Sequence, residues 1–310
     1  MKKVFIILLI ILIASEYSYG QRRRKKRVTH IEEISISTVL TNFLGELGGA
    51  NDIGTNGIKD FNFRAIRPGI NIAYLYGLSN AFYIKTNLTY AFLSGDDKYT
   101  EEPCRNNRNL HFRSPIVELS SQLEYSIIRQ KQGHRYNLRK RGVFGLKNVK
   151  TTSYIFAGFG MFYFNPKAKD LSEGGDGKWH SLRPLCTEGQ GLVETREKYS
   201  PLQICIPLGI GVKFALDKRW SVGLEYGVRK TFTDYIDDVS ITYFDKNELL
   251  KQKGDLSVYF ANPAKNTTLS PNVTAPGQQR GDPRDKDSYM FGIISIYYKI
   301  PRGGISAMFY

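Results

Sequence analysis

Three cysteines, four histidines and two tryptophans in 310 residues leave few of the groups on which disulfide and metal chemistry depend. Cys104, Cys186 and Cys205 show no zinc-ligand spacing and are too few to staple a small secreted scaffold. Long apolar runs are just as scarce. A single run, from Val4 to Ala14, in a chain with 41% hydrophobic residues and a mean hydropathy of −0.34 excludes a polytopic helical membrane protein. No Gly-rich phosphate loop precedes a helical pattern. The histidines, His30, His111, His134 and His180, all fall at a terminus, in a loop or at a loop edge. Only His111, near Ser114, suggests a hydrolytic pair, and catalytic triads are defined in space rather than in sequence. The expectation is a protein without catalytic residues or cofactor. Acidic residues are outnumbered, 29 against 44 basic, for a net charge of +15.

Aromatics are plentiful, with 20 Tyr and 18 Phe. That excess argues against disorder and favours strands. At the N-terminus Lys2 and Lys3 precede the apolar run, and Ser18-Tyr19-Gly20 places small residues at the −3 and −1 positions. The pattern predicts a secretory signal peptide over 1–20, cleaved before Gln21. No cysteine follows the cleavage point, so a lipid anchor is not expected. An exported chain does not meet cytoplasmic DNA, which removes nucleic acid as the partner that the charge first suggests.

The remaining chain is written in steps of two. In 81–94, Phe82, Ile84, Thr86, Leu88, Tyr90 and Phe92 oppose Tyr83, Lys85, Asn87, Thr89 and Ala91. In 201–216, Leu202, Ile204, Ile206, Leu208 and Ile210 oppose Gln203, Cys205, Pro207, Gly209 and Gly211. Segments 64–76, 115–128 and 220–233 alternate the same way, and 33–44, 151–164 and 288–300 do so less regularly. Eight strands of about twelve residues are twice the ordinary globular length. Their connections alternate between tight turns (77–80, 217–218) and long loops (45–63, 95–111, 165–200, 236–287). The predicted fold is all-β: an eight-stranded antiparallel transmembrane β-barrel over 33–300, with long extracellular loops, set in the outer membrane with both ends periplasmic. A basic segment, 21–32, precedes it and a short tail, 301–310, follows. One connection, 129–150, falls where a short periplasmic turn belongs and is too long for one. A soluble lipocalin-like barrel would instead turn the apolar faces inward. Against that stand polar faces rich in Gly, Ser, Thr and Asn, and aromatics near strand ends: Tyr74, Tyr76, Tyr90, Phe92, Trp220, Tyr235, Tyr289 and Tyr298.

With the apolar faces on lipid, the lumen receives Arg67, Lys85, Glu118, Glu124, Lys213, Glu225 and Arg229. Four cations against three carboxylates in a small barrel predict a salt-bridged plug rather than a porin channel. Cys104 and Cys186 both fall in outer loops and could pair in an oxidising compartment, whereas Cys205 lies on a lumen face. Asp234, Asp237 and Asp238 could hold Ca²⁺, though such clusters more often bond local backbone N–H groups.

Several stretches resemble one family. They are Gly45–Asn51 (GELGGAN) continuing to Ile53-Gly54-Thr55, Lys59–Arg67 (KDFNFRAIR), Leu93–Lys98 (LSGDDK), Phe112–Leu119 (FRSPIVEL) and Gly223–Tyr243 (GLEYGVRKTFTDYIDDVSITY). Together they resemble the PorG-type outer-membrane barrels of the Bacteroidetes type IX secretion system, across most of strands one to four and seven to eight. The resemblance implies a non-enzymatic outer-membrane protein. It would contact a periplasmic ring made of a lipoprotein and its soluble partner, in secretion or gliding machinery.

The charge map points to the same side. Arg22, Arg23, Arg24, Lys25, Lys26 and Arg27 follow the cleavage point, and Arg129, Lys131, Arg135, Arg139, Lys140, Arg141, Lys147 and Lys150 occupy the long connection, with no acid in either block. Without residues 1–20 the chain holds 42 basic and 28 acidic residues, and these two blocks account for the entire surplus of fourteen. Such blocks suit acidic protein surfaces or anionic lipid. Two rivals remain at this point: a barrel that binds a ligand or surface partner through its outer loops, and a lipid-modifying barrel enzyme.

Overall fold

The computed structural model describes residues 31–47, 63–100, 102–128, 150–267 and 272–301. The expected signal peptide, the basic run 22–27, the connection up to residue 149, and tail residues 302–310 lie outside the described residues. Among the described residues ten strands are formed: β1 (Glu32–Leu44), β2 (Arg67–Gly77), β3 (Phe82–Asp96), β4 (His111–Ile128), β5 (Lys150–Phe164), β6 (Lys167–Lys169), β7 (Trp179–Ser181), β8 (Leu202–Ala215), β9 (Trp220–Thr231) and β10 (Ser288–Lys299). Eight of them pair antiparallel in the order β3-β2-β1-β10-β9-β8-β5-β4, and β3 pairs with β4 to close the ring. β6 and β7 form a hairpin above the ring, attached where Arg113 faces Lys167. Closure satisfies every barrel strand edge, the condition for backbone to pass through hydrocarbon. Among the described residues, no helix is long and apolar enough to cross a membrane.

The faces divide as the alternation predicts. Ile36, Ile70, Ile72, Leu88, Leu119, Phe159, Ile210 and Ile296 all point outward and are exposed. Their sequence neighbours Ser35, Ser37, Asn71, Asn87, Ser120, Gly209 and Ser295 face the interior. An apolar outside around a polar inside is the reverse of a soluble barrel. The chain therefore folds as an outer-membrane-type eight-stranded β-barrel.

The short turns gather at one end of the ring, the turn end, and the long loops at the other. At the turn end Leu78 N–H bonds to Phe82 O across 2.9 Å, and Asp217 Oδ1 accepts from Arg219 and Trp220 N–H groups. Trp220 packs on Tyr298 there at 4.8 Å and Phe82 on Tyr125 at 5.0 Å, on the outer surface. Two of the expected girdle aromatics are elsewhere. Tyr289 is fully buried in the lumen, because β10 turns its odd-numbered residues inward, and Tyr235 stacks on Tyr199 in the loops.

The long connections are not irregular throughout. α1 (Pro103–Arg108) is capped by Glu102, whose carboxylate accepts from the N–H groups of Cys104 and Arg105. α2 (Lys246–Lys253) is capped by Asp245 in the same way, and α3 (Asp255–Ala261) follows directly. β3 and β4 also run on to Asp96 and back from His111, so the loop between them is shorter than the alternation alone suggested.

Candidate functional site

The lumen is filled in layers. Nearest the turn end, Lys85 is fully buried and its Nζ lies 2.6 Å from Glu225 Oε2 and 3.9 Å from Glu124 Oε1. The Tyr154 hydroxyl donates to the same Glu225 oxygen at 3.1 Å. Lys213 pairs with Glu33 and rests over the Tyr297 ring at 4.0 Å. One layer higher, Arg229 Nε lies 3.5 Å from Glu118 Oε2 and its guanidinium covers Phe291 at 4.1 Å. Glu118 also accepts from the Tyr289 hydroxyl at 3.0 Å and from Ser120 Oγ at 2.8 Å. Above this lies an apolar layer that includes Phe43, Phe112, Ile116, Phe162, Phe164 and Ile236.

Six of the seven lumen charges expected from the sequence thus meet in two clusters. Arg67 is the exception. It sits at the loop end of β2, half-buried, with Nη1 donating to the carbonyls of Arg64 and Ile66. Its parity is right, but its position is the rim. Glu33, Tyr154 and Tyr289 complete the clusters; the sequence marked Tyr289 only as a girdle aromatic, and Glu33 and Tyr154 were not singled out. For Glu33 the signal was present, since it shares the parity of Ser35 and Ser37 on β1.

Packing is tight enough to require glycine where Gly209 and Gly227 face each other across β8 and β9. A Cβ on either would come within 2.5–2.7 Å of the Phe156 ring. Beneath the Lys85 cluster the interior widens into a cavity of about 590 Å³ at the turn end, lined by Glu33, Glu124, Tyr154, Lys213 and Arg219 among others.

The loop end is closed by a cap of buried charges that tie separate loops together. Arg108 of α1 grips Asp97 with two bonds, of 2.8 and 3.0 Å, and donates to the carbonyls of Arg280 and Glu46. Arg280 donates to Glu188 Oε1 at 2.9 Å and to Asp238 O at 2.7 Å. Glu188 accepts in turn from the N–H groups of Ser240 and Ile241. Asp238, in the left-handed region at φ 65°, accepts from Thr187 Oγ1 and the Tyr199 hydroxyl, each at 2.6 Å. Partnership holds the two arginines charged despite burial, each raised by its acidic neighbour.

Glu46, Asp234, Asp237 and Asp287 form the acidic part of the cap. Asp237 accepts from Val239 and Leu47 N–H groups, the local bonding expected of such a turn. Burial, then mutual repulsion, pushes Glu46 up to about 9 and Asp287 well above the carboxylate range. Burial is also the main cause that raises Asp234 to about 7, Asp237 to about 8 and Asp238 to about 6.

The remaining sequence candidates are placed as follows. Cys104 is exposed on α1, while Cys186 is buried with its thiol toward the carbonyls of Arg183 and Pro184. All three cysteines are free thiols, and the possible Cys104–Cys186 pair is not formed. Cys205 sits in the lumen beside the Tyr289 hydroxyl at 3.7 Å. His111 and Ser114 bond to backbone rather than to each other: His111 Nε2 accepts from Lys169 N–H, and Ser114 Oγ accepts from Asn165 N–H. Lys150 opens β5 opposite Ala215, and the other thirteen basic-segment cations lie outside the described residues.

Among solved structures the chain is similar to Ail, the attachment invasion locus protein of Yersinia pestis, crystallised with the heparin analogue sucrose octasulfate, at 9% identity over 87% of this chain and 99% of that one, with a TM-score of 0.37. Neisserial surface protein A is similar at 8% identity over 87% and 97% (TM-score 0.38), and OprG of Pseudomonas aeruginosa at 8% over 88% and 97% (TM-score 0.37). No curated protein matches the sequence. A family model described as "Domain of unknown function (DUF6089)" matches residues 2–173, more than half of the chain, and the chain belongs to that family.

Proposed function

We propose that this protein is an outer-membrane anchor of a type IX secretion or gliding machine, in the manner of the PorG-type barrels its sequence resembles. It docks a periplasmic ring of a lipoprotein and its soluble partner, and it performs no catalysis. The observation that carries this reading is where the basic connection leaves and rejoins the ring. β4 ends at Ile128 and β5 begins at Lys150, both at the turn end, beside the short turns and the start of β1. The stretch of sequence that joins these two termini, both on the turn face, has eight cations and no acid. With the loops outside, that face is periplasmic. The filled lumen supports the reading, because a plugged barrel serves as an anchor rather than a conduit.

The test is deletion of 130–149 with a short turn in its place. The barrel still inserts, and co-purification of the ring proteins falls at least tenfold. Unchanged co-purification would remove this connection as the docking element.

One observation favours a second reading. A groove of about 400 Å³ at the loop end gathers Arg64, Arg67, Lys98, Arg113 and Lys169 beside Trp179, a cationic setting for an anionic ligand of the cell surface. On that reading, Arg113→Ser with Lys169→Ser abolishes function while the 130–149 deletion does not.

A further inference from the structure

Three carboxylates of the cap converge without a cation. One oxygen from each of Glu46, Asp234 and Asp287 lies within 4.8 Å of the other two. The three residues come from different parts of the chain: the segment after β1, the segment after β9, and the residue just before β10. In each, one oxygen is occupied and the other is not. Glu46 Oε1 accepts from Asp282 N–H, Asp234 Oδ2 from Ser240 Oγ, and Asp287 Oδ2 from Ile236 N–H. Glu46 Oε2, Asp234 Oδ1 and Asp287 Oδ1 are sealed from solvent and have no hydrogen-bond partner. Asp234 is 2% exposed and Asp287 1%.

An orphaned buried carboxylate oxygen is costly, and three carboxylates brought together are costlier still. None of the ion pairs found among the described residues includes these groups. The charges that face the cluster are Asp237, Glu188, Asp282 and Lys286 on the neighbouring loop segments, and Arg108 on α1 faces Asp237. Arg108 is already committed to Asp97, and Lys286 Nζ donates to Pro283 O. Gly45 adds an independent sign of a built site. A Cβ there would stand 2.2 Å from Asp287 Oδ1, so only glycine leaves that oxygen its place.

We propose that Glu46, Asp234 and Asp287 bind one Ca²⁺ ion, which clasps the two ends of the β9–β10 loop to the segment that follows β1. Oxygen-only donors select a hard cation over zinc or copper. Mg²⁺ demands near-ideal octahedral geometry and dehydrates reluctantly, whereas Ca²⁺ accepts irregular sets of carboxylate oxygens, so three buried carboxylates from separate segments suit Ca²⁺. Water or a second oxygen of the same carboxylates completes the coordination number of 6–8 that Ca²⁺ takes.

The experiment titrates Ca²⁺ alone into the full chain, refolded in detergent and freed of metal by chelation, by calorimetry. Heat-modifiable gel migration verifies folding of each variant. One saturable Ca²⁺ per chain is expected, bound more tightly than Mg²⁺. Asp234→Asn and Asp287→Asn weaken it at least tenfold, and Asp217→Asn, in a turn at the opposite end, leaves it unchanged. Should the buried variants fail to fold, Glu46→Gln, at the half-buried member of the set, decides. Ca²⁺ also slows proteolysis within 236–287 in the wild type and not in the variants. Absence of saturable binding, binding that survives all three substitutions, or a preference for Mg²⁺ would overturn the assignment.

Discussion

Lys85 shows how much rests on one residue. It is fully buried and holds Glu225 at 2.6 Å, while Glu124 stands 3.9 Å away. Lys85→Met would leave two carboxylates buried without their cation, at a cost of about 3–5 kcal/mol. The expected outcome is a lower denaturant midpoint for the refolded barrel, measured by tyrosine fluorescence. Lys85→Met combined with Glu225→Gln recovers a large part of the loss, and failure to recover would mean that the charge pair is not the cause. Lys85 was legible in the sequence as a lone cation on an otherwise polar, uncharged strand face. Arg67 shares that parity yet stands at the rim, because parity gives the face of a strand and not the height along it. Tyr289 was misplaced for a related reason: β10 is apolar on both parities, so hydrophobicity does not say which side meets lipid.

At the level of elements, the barrel strands could be read to within a few residues because their alternation reports a fixed geometry: one face on lipid, one on the lumen. The cap could not be read. Arg108, Glu188 and Arg280 meet from three different connections, and nothing local in the sequence records that meeting. The β6–β7 hairpin belongs to this unread part and yields a pH prediction. Exposed residues of the apolar belt begin on β4 at Val117, so His111 stands above it. Burial lowers the His111 pKa, against the opposing influence of Asp96 and Asp97, with Lys98 also facing it. Its neutral Nε2 accepts from Lys169 N–H, and its ring lies 6.2 Å from that of Trp179. A depressed histidine contributes stability above the unfolded value of about 6.5, and that stability is lost as pH falls through the folded value. The hairpin therefore loosens on acidification below about 6.5. With Trp220→Phe removing the other indole, Trp179 fluorescence should change in that window and stay flat in His111→Gln. A flat response with His111 present would contradict the assignment.

The molecule as a whole is a closed ring with a filled interior. Two charge clusters, an apolar layer and the cap lie in series along its axis. Reconstituted in planar bilayers, the protein should give no stable conductance steps, and regular steps would mean that the plug opens. This property was partly legible: near-neutral lumen charge and eight strands together imply a blocked bore. The surplus of fourteen positive charges was legible as well, as two blocks rather than a general basicity.

The cavity at the turn end has a consequence for how water is distributed. It opens beneath the Lys85 cluster at one mouth, whereas the other mouth is packed with rings and braced by arginine. Hydration of the bore is therefore one-sided. Glu33 and Lys213, which line the cavity, border water just below a Lys85 cluster that is itself buried, whereas the inward residues at the loop end are sealed. Tolerance of one polar group for another is therefore greatest at the rim of this cavity and falls on passing up the strands through the Lys85 cluster to the rings.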